Sequence, residues 1–319
     1  MEKKKYFIIT IDTEGDNLWA WRDGDEITTE NTLFLPRFQA LCDRYSFKPV
    51  WLTNWEMIND GRFVAFAKKV LVEGRGEIGM HLHAWNTPPH YPLVPSARPQ
   101  APYLIEYPAE VMEAKISTMT EEIERKTGIR PTSHRAGRWA TDGRYLSLLE
   151  KYGYSADCSV TPHVDWSEKP GASSFSRGSD YSSSPDNAYF VSDSLLEVPV
   201  TIMKNHRLFS SPYRTIKGRL GNIWHSISGN EIWLRPDGTN LDRMLHIVRK
   251  AEEDDRDYIM FMLHSSELMP LGSPTFRTEE SVENLYSDLE KLFDRISESF
   301  TGITLRDYAE RKRQQCVNR

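Results

Sequence analysis

The chain has 319 residues, a formal net charge of -6 from 40 basic and 46 acidic side chains, and 39% apolar residues, enough for one large core. Its charges of both signs are interspersed, so no basic field follows a nucleic acid, and no stretch reaches the ~20 apolar residues of a membrane span. Three widely spaced cysteines, Cys42, Cys158 and Cys316, fit neither a disulfide framework nor a paired-cysteine zinc site, and point to a reducing compartment.

The N-terminus is positive like a signal peptide, but the apolar run behind it covers only Tyr6 to Ile11 and ends in Asp12-Thr13-Glu14. It reads as a buried strand, and a cytoplasmic location is expected. Pro49 to Thr53 repeats the pattern, and Leu33, Phe34, Phe38, Leu41 and Cys42 between them recur at helical spacing. A helix around Phe63 to Val72 ends at Gly74 before a strand from Glu77 to Leu82.

Met112, Ile116, Met119 and Ile123 mark a helix from Pro108 to Lys126, with Gly128 as its stop. Thr141 or Asp142 is placed to cap the next helix, which carries Leu146, Leu149 and Tyr152 and ends at Gly153. Strands are predicted at Tyr154 to Val160, Leu196 to Ile202, Ile232 to Leu234, Tyr258 to Leu263 and Ile303 to Leu305. Helices around Leu241 to Ala251 and Glu279 to Ile296 separate the last three. This alternation predicts an α/β fold, a single distorted (β/α) barrel of about seven parallel strands formed by residues 1–319 as one domain. A Ser-, Gly- and Pro-rich stretch near 167–187 is too long for an ordinary connection and reads as a loop over the site or an insertion.

Chemistry concentrates where strands end. Asp12, Glu14 and Asp16 follow the first strand, and carboxylates so close repel unless a cation joins them. His81 and His83 end the third strand, and imidazole with carboxylate suits zinc and similar divalent ions. Taken alone, the acidic cluster reads equally as turn caps and solvated groups, and the His-x-His pair as a surface or core feature.

Together these segments resemble the polysaccharide deacetylase family, of the carbohydrate esterase family 4 type. Asp12-Thr13-Glu14 is similar to the family's first motif, Glu77-Ile78-Gly79-Met80-His81 to its second, and Arg135-Ala136-Gly137-Arg138-Trp139 to its third. Leu196-Glu197-Val198-Pro199 resembles a strand of some branches, without an assignable role, and Tyr258 to His264 resembles a C-terminal strand that ends in a catalytic histidine.

The resemblance implies Asp12 as general base, Arg135 as the residue holding it, His264 as general acid, and a divalent metal, expected to be zinc, on Glu14 and His81. It departs from the family at Glu14, where an aspartate is commoner, and at Trp85, where a histidine is usual. Tryptophan has no lone pair for a cation, so His83, two residues along a strand from His81, is expected as the third ligand, with His90 as its rival. Trp85, Arg138 and Trp139 are assigned to the substrate, and Trp166 is a further candidate sugar platform. The implied activity is removal of an N-acetyl group from an amino sugar or polysaccharide precursor. Hydrolysis of another C–N bond and sugar binding without turnover are the alternatives.

Overall fold

The computed structural model describes residues 4–21, 25–93, 102–172, 176–204 and 231–317. β1 (Tyr6–Thr13), whose apolar and β-branched run is buried from Phe7 onward, lies inside the sheet as a strand covered on both faces. α1 (Leu35–Arg44) leads to β2 (Val50–Thr53), and α2 (Trp55–Asn59) and α3 (Gly61–Val72) lead to β3 (Glu77–Leu82). The short α2 had no signal of its own in the sequence. α4 (Ala109–Thr127) stops at Gly128, which takes the left-handed conformation with φ 82°. β4 (Ser133–Ala136) follows, and Asp142 caps α5 (Gly143–Lys151) through its side chain.

Beyond α5 come β5 (Ala156–Asp157), β6 (Tyr189–Phe190), β7 (Leu196–Glu197), β8 (Ile202–Lys204) and β9 (Glu231–Trp233). The C-terminal part holds α6 (Leu241–Glu253), β10 (Tyr258–His264), α7 (Glu279–Ser297), β11 (Thr301–Gly302) and α8 (Leu305–Val317). Among the described residues, β10, β1, β2, β3, β4, β5 and β7 lie side by side in that order, all parallel, and curl into a half-barrel. β6 adds an antiparallel edge, and β11 pairs with the start of β1. This is the expected distorted barrel of parallel strands. No described helix is long and apolar enough to cross a membrane.

Three predicted strands differ in extent. The predicted strand at Tyr154 to Val160 keeps regular pairing only at Ala156–Asp157. The segment Leu196 to Ile202 splits, because Pro199 has no N–H to continue the ladder, and Ile202–Lys204 pairs instead with β9 in a separate antiparallel sheet. That sheet joins the edge of β10, with Met260 N–H donating to Thr201 Oγ1 at 2.7 Å and Met262 N–H to Leu234 O at 3.3 Å. The last predicted strand, Ile303 to Leu305, sits earlier, at Thr301–Gly302. Thr304 Oγ1 accepts from Asp307 N–H at 3.1 Å and starts a helix at Leu305.

The two faces of the sheet build two cores. Phe7, Ile9 and Ile11 of β1 pack with Met80 and Leu82 of β3 and with the helices, whereas Ile8 packs inside the curl with Tyr258, Met260 and Met262. Strand alternation therefore places Thr10, Asp12, His81, Arg135 and His264 on the inner face, at the C-terminal ends of their strands.

Residues 161–172 and 176–187 run as an antiparallel pair, bridged at Asp165 with Asp180 and at Pro170 with Arg177. Tyr181 O–H donates to Trp139 O and Arg138 Nη2 to Pro170 O at 3.0 Å, so this segment is fastened to the turn after β4. Part of the predicted insertion, residues 173–175, lies outside the described residues.

Candidate active site

Strand register brings the inner-face residues together in pairs, Asp12 beside His264 across β1 and β10 and His81 beside Arg135 across β3 and β4. Arg135 is fully buried and spends each of its nitrogens. Nη1 donates to Asp12 Oδ1 at 2.6 Å, Nη2 to Thr10 Oγ1 at 2.8 Å, and Nε to Cys158 O at 3.1 Å. The guanidinium is thus shared between Asp12 and Thr10. Burial alone would raise the Asp12 carboxyl, but Arg135, with His81 and His264, outweighs it and holds the carboxyl below the ordinary range.

Glu14, His81 and His83 form a trio whose ligand atoms converge. The two Nε2 atoms lie 3.0 Å apart, and Glu14 Oε2 lies 3.3 Å from His83 Nε2 and 3.6 Å from His81 Nε2. Three ligands at 2.0–2.1 Å around a tetrahedral ion stand roughly 3.3 Å from one another, which these spacings bracket. His81 Nδ1 lies 3.0 Å from Arg135 O and donates to it, which leaves the Nε2 lone pair facing the trio. Burial would lower His81, yet the Asp12 and Glu14 carboxylates raise it, so the site calls for a positive charge at that point. Burial and the His81 ring push His83 down to about 4, which keeps it neutral at neutral pH. The trio fits a divalent ion. His90 is outside it, exposed and lining a neighbouring cavity.

Two conformational details hold the trio in place. Gly137 passes so close that a Cβ there would lie 2.5 Å from His83 Cδ2 and 2.6 Å from Leu82 O. Arg138 and Trp139 next to it have φ of 57° and 65°, a left-handed pair uncommon outside glycine and asparagine.

His264 Nε2 lies 3.8 Å from Asp12 Oδ2 and 3.8 Å from Glu14 Oε1. Behind the ring, Arg235 Nη2 is 3.0 Å from His264 Nδ1 and 3.1 Å from Glu267 Oε1, and the His264 N–H donates to Glu267 Oε2 at 2.8 Å. Burial works against the Glu267 carboxylate, but Arg235 and His264 pull it down to about 2. Neither Arg235 nor Glu267 was singled out in the sequence. Both had a signal available, since Glu267 follows His264 by three and Arg235 follows a predicted strand.

A cavity of about 340 Å³ opens over these groups, lined by Asp12, Glu14, His81, His83 and His264 and walled by Trp19, Trp85, Arg138, Trp139 and Arg235. Trp85, Arg138 and Trp139 are therefore placed at the cavity. Arg138 also lies over the Tyr103 ring at 4.1 Å, and Trp139 lies 5.0 Å from the Arg135 guanidinium. Trp166 is not among the lining residues, and its N–H donates to Thr161 Oγ1 at 2.8 Å. Glu197 sits deeper, fully buried beside Asp157 and accepting from Val160 N–H at 3.0 Å. Burial and the Asp157 carboxylate raise it well above the ordinary range, and His134 joins Asp157 at 2.6 Å and Tyr145 at 2.7 Å.

No family model and no curated protein matches the chain. Solved structures do. The chain aligns over 98% of its length with 92% of a provisionally assigned polysaccharide deacetylase from Mycobacterium smegmatis, at TM-score 0.55 and 15% identity. The chain has a polysaccharide deacetylase fold. It also aligns over 96% of its length with 70% of a GH57-type branching enzyme from Pyrococcus horikoshii, at TM-score 0.56 and 10% identity. A 4-alpha-glucanotransferase from Thermococcus litoralis gives TM-score 0.54 and 13% identity over 97% of this chain and 40% of that one. This deacetylase fold is thus shared with enzymes of other names, and the reaction has to be argued from the site.

Proposed function

We propose that the chain is a metal-dependent hydrolase that removes an N-acetyl group from an amino sugar or a polysaccharide precursor. The observation that carries this reading is the meeting of an ion-paired carboxylate, a Glu-His-His trio and a histidine within one cavity. Asp12 Oδ2 and His264 Nε2 face each other at 3.8 Å beside Glu14.

Glu14, His81 and His83 would hold the ion, expected to be zinc, which supplies polarisation of the acetyl carbonyl and acidification of a water. Asp12 is the general base. Arg135 occupies Oδ1 and keeps the carboxylate ionised, leaving Oδ2 to take the proton of the attacking water. As the tetrahedral carbon collapses, the C–N bond breaks and His264 Nε2 gives a proton to the departing nitrogen, releasing acetate and a free amine. Glu267 and Arg235 hold the imidazole from behind with Nε2 turned inward. Trp85, Arg138 and Trp139 shape the substrate wall.

Incubation with N-acetylated oligosaccharides, followed by assay for acetate and free amine, tests the reading. Both products should appear together and depend on zinc, cobalt or manganese. Amine release without acetate would assign the site to another C–N bond, and sugar binding with neither product would sink the catalytic reading.

A further inference from the structure

The register of β1 with β10 ends at Asp12 with His264, so beyond that pair the sheet no longer sets where Glu14 stands relative to the segment that follows His264. Side chains take over there. Asn31 and Ser265, both fully buried, close a ring of hydrogen bonds on the peptide groups of Glu14. We propose that Asn31 and Ser265 are positioning residues, a clamp that holds the metal ligand Glu14 in place against the general acid His264. The roles of Glu14 and His264 rest on the deacetylase reading, and the clamp rests on its own bonds.

Saturation is the first argument. Ser265 Oγ accepts from Glu14 N–H at 3.1 Å, donates to Glu14 O at 3.1 Å and accepts from Asn31 Nδ2 at 2.8 Å. Asn31 Nδ2 gives its other proton to Glu14 O at 2.7 Å. A hydroxyl has one proton and two lone pairs, an amide nitrogen two protons and a carbonyl two lone pairs, so these groups are used to capacity. Loss of Ser265 strips Glu14 N–H of its partner in a buried place, where the backbone has to move to regain one.

Placement is the second. Ser265 directly follows His264 and opens the short 3₁₀ turn Ser265–Leu268, in which Ser266 Oγ accepts from Trp19 Nε1 at 3.1 Å and Glu267 Oε2 accepts from the His264 N–H at 2.8 Å. The clamp therefore ties the segment that carries the acid to the residue that carries the carboxylate ligand. Across this tie Glu14 Oε1 and His264 Nε2 stand 3.8 Å apart. Proton delivery to a leaving nitrogen needs the acid at a fixed distance from the reacting carbon, which the end of the ladder alone does not supply.

Anchoring is the third. Asp16, the remaining carboxylate of the cluster after β1, is buried but is no part of the Glu-His-His trio. Its Oδ2 accepts from the Asn31 N–H at 3.0 Å and its Oδ1 from Thr28 Oγ1, while its own N–H donates to Thr28 O at 2.9 Å. The chain that leaves Glu14 thus turns back to fix Asn31, which gives this third carboxylate a task outside the reaction.

The test measures zinc affinity of the full chain by competition with a chromophoric chelator and, at saturating zinc, kcat and KM for an N-acetylated oligosaccharide and for 4-nitrophenyl acetate. Ser265→Ala takes one oxygen from the ring, and Asn31→Ala takes its amide. Each should weaken zinc binding by about 10–100-fold. Each should lower kcat for the amide by about 10²-fold, the scale of a misplacement of about 1 Å, with KM within about twofold. The loss on the ester should be smaller, since its leaving group needs no proton. Ser133→Ala is the control, because Ser133 is equally buried but its hydroxyl donates to Glu77 at the N-terminal end of the strands, and it should change neither readout. Wild-type zinc affinity in Ser265→Ala, or equal losses on the amide and the ester, would overturn the proposal. A wild-type chain that binds zinc and releases no acetate overturns the deacetylase reading alone, and the zinc affinity of Ser265→Ala still decides the clamp.

Discussion

Arg135 Nη1 donates to Asp12 Oδ1 at 2.6 Å in a pair where neither side chain is more than 3% exposed. Removing one partner leaves the other charge buried, so Arg135→Ala should destabilise the fold by about 3–5 kcal/mol in denaturant unfolding. Asp12→Asn keeps the shape and removes the base. It should lower kcat by about 10²–10⁴-fold with little change in KM. A loss confined to KM would move Asp12 from proton transfer to substrate recognition.

Metal dependence has a readout apart from turnover. An ion that binds only the folded chain raises the melting temperature with concentration, so zinc should stabilise the chelated protein in a saturable way. His83→Ala should weaken that shift strongly, and His90→Ala should leave it unchanged. A shift that disappears in His90→Ala and persists in His83→Ala would reverse the ligand assignment.

Much of this site was legible because it sits at strand ends. Asp12, His81, Arg135 and His264 share one face by the two-residue alternation of their strands, and apolar runs mark where each strand stops. The bonds made across the barrel were not legible. Arg135 divides its fork between Asp12 and Thr10, and nothing in the order of residues near Arg135 points to Thr10. Arg235 meets Glu267 only because the β8–β9 sheet folds back onto β10. The strand at Leu196 was overextended for a local reason, since an apolar run hides the missing N–H of Pro199.

Acid sensitivity should report Glu267. Its carboxyl is held at about 2 in the folded chain against an ordinary value of 4.5, so its contribution to stability is present above pH 4.5 and fades as pH falls toward 2. Glu267→Gln should flatten the stability profile across that window. It should also slow amide hydrolysis more than hydrolysis of 4-nitrophenyl acetate, whose leaving group needs no proton. Equal losses on both substrates would show that Glu267 acts on the fold and not through His264.

Glu56 carries the opposite sign. Burial raises its carboxyl to about 7, against the N–H of Gly15, so the folded chain holds a proton that the unfolded chain releases. Its contribution is full below about pH 4.5 and is lost as pH rises through about 7. Glu56→Gln, which keeps an oxygen for Gly15 N–H, should lessen the fall in stability between those values. An unchanged slope in thermal melts across that range would show that the carboxyl titrates normally.

Gly137 gives the most local test of the trio. Its φ is not left-handed, so the backbone accepts alanine, and the obstacle is space alone. The added methyl would stand 2.5 Å from His83 Cδ2 and 2.6 Å from Leu82 O. Leu82 is held in register with Ala136 across β3 and β4, so the methyl must push apart the backbone at the end of β3 as well as the His83 ring. Overpacking of this kind costs about 1–3 kcal/mol. A ring displaced from a converged trio should lose metal affinity by about 10–100-fold, the scale of disturbing a ligand's support. Gly143→Ala is the control, because a Cβ there meets nothing within 4 Å. Zinc affinity measured by competition with a chromophoric chelator should fall for Gly137→Ala and hold for Gly143→Ala. Wild-type affinity in Gly137→Ala would mean that His83 does not bind the ion in the position its ring occupies against Gly137.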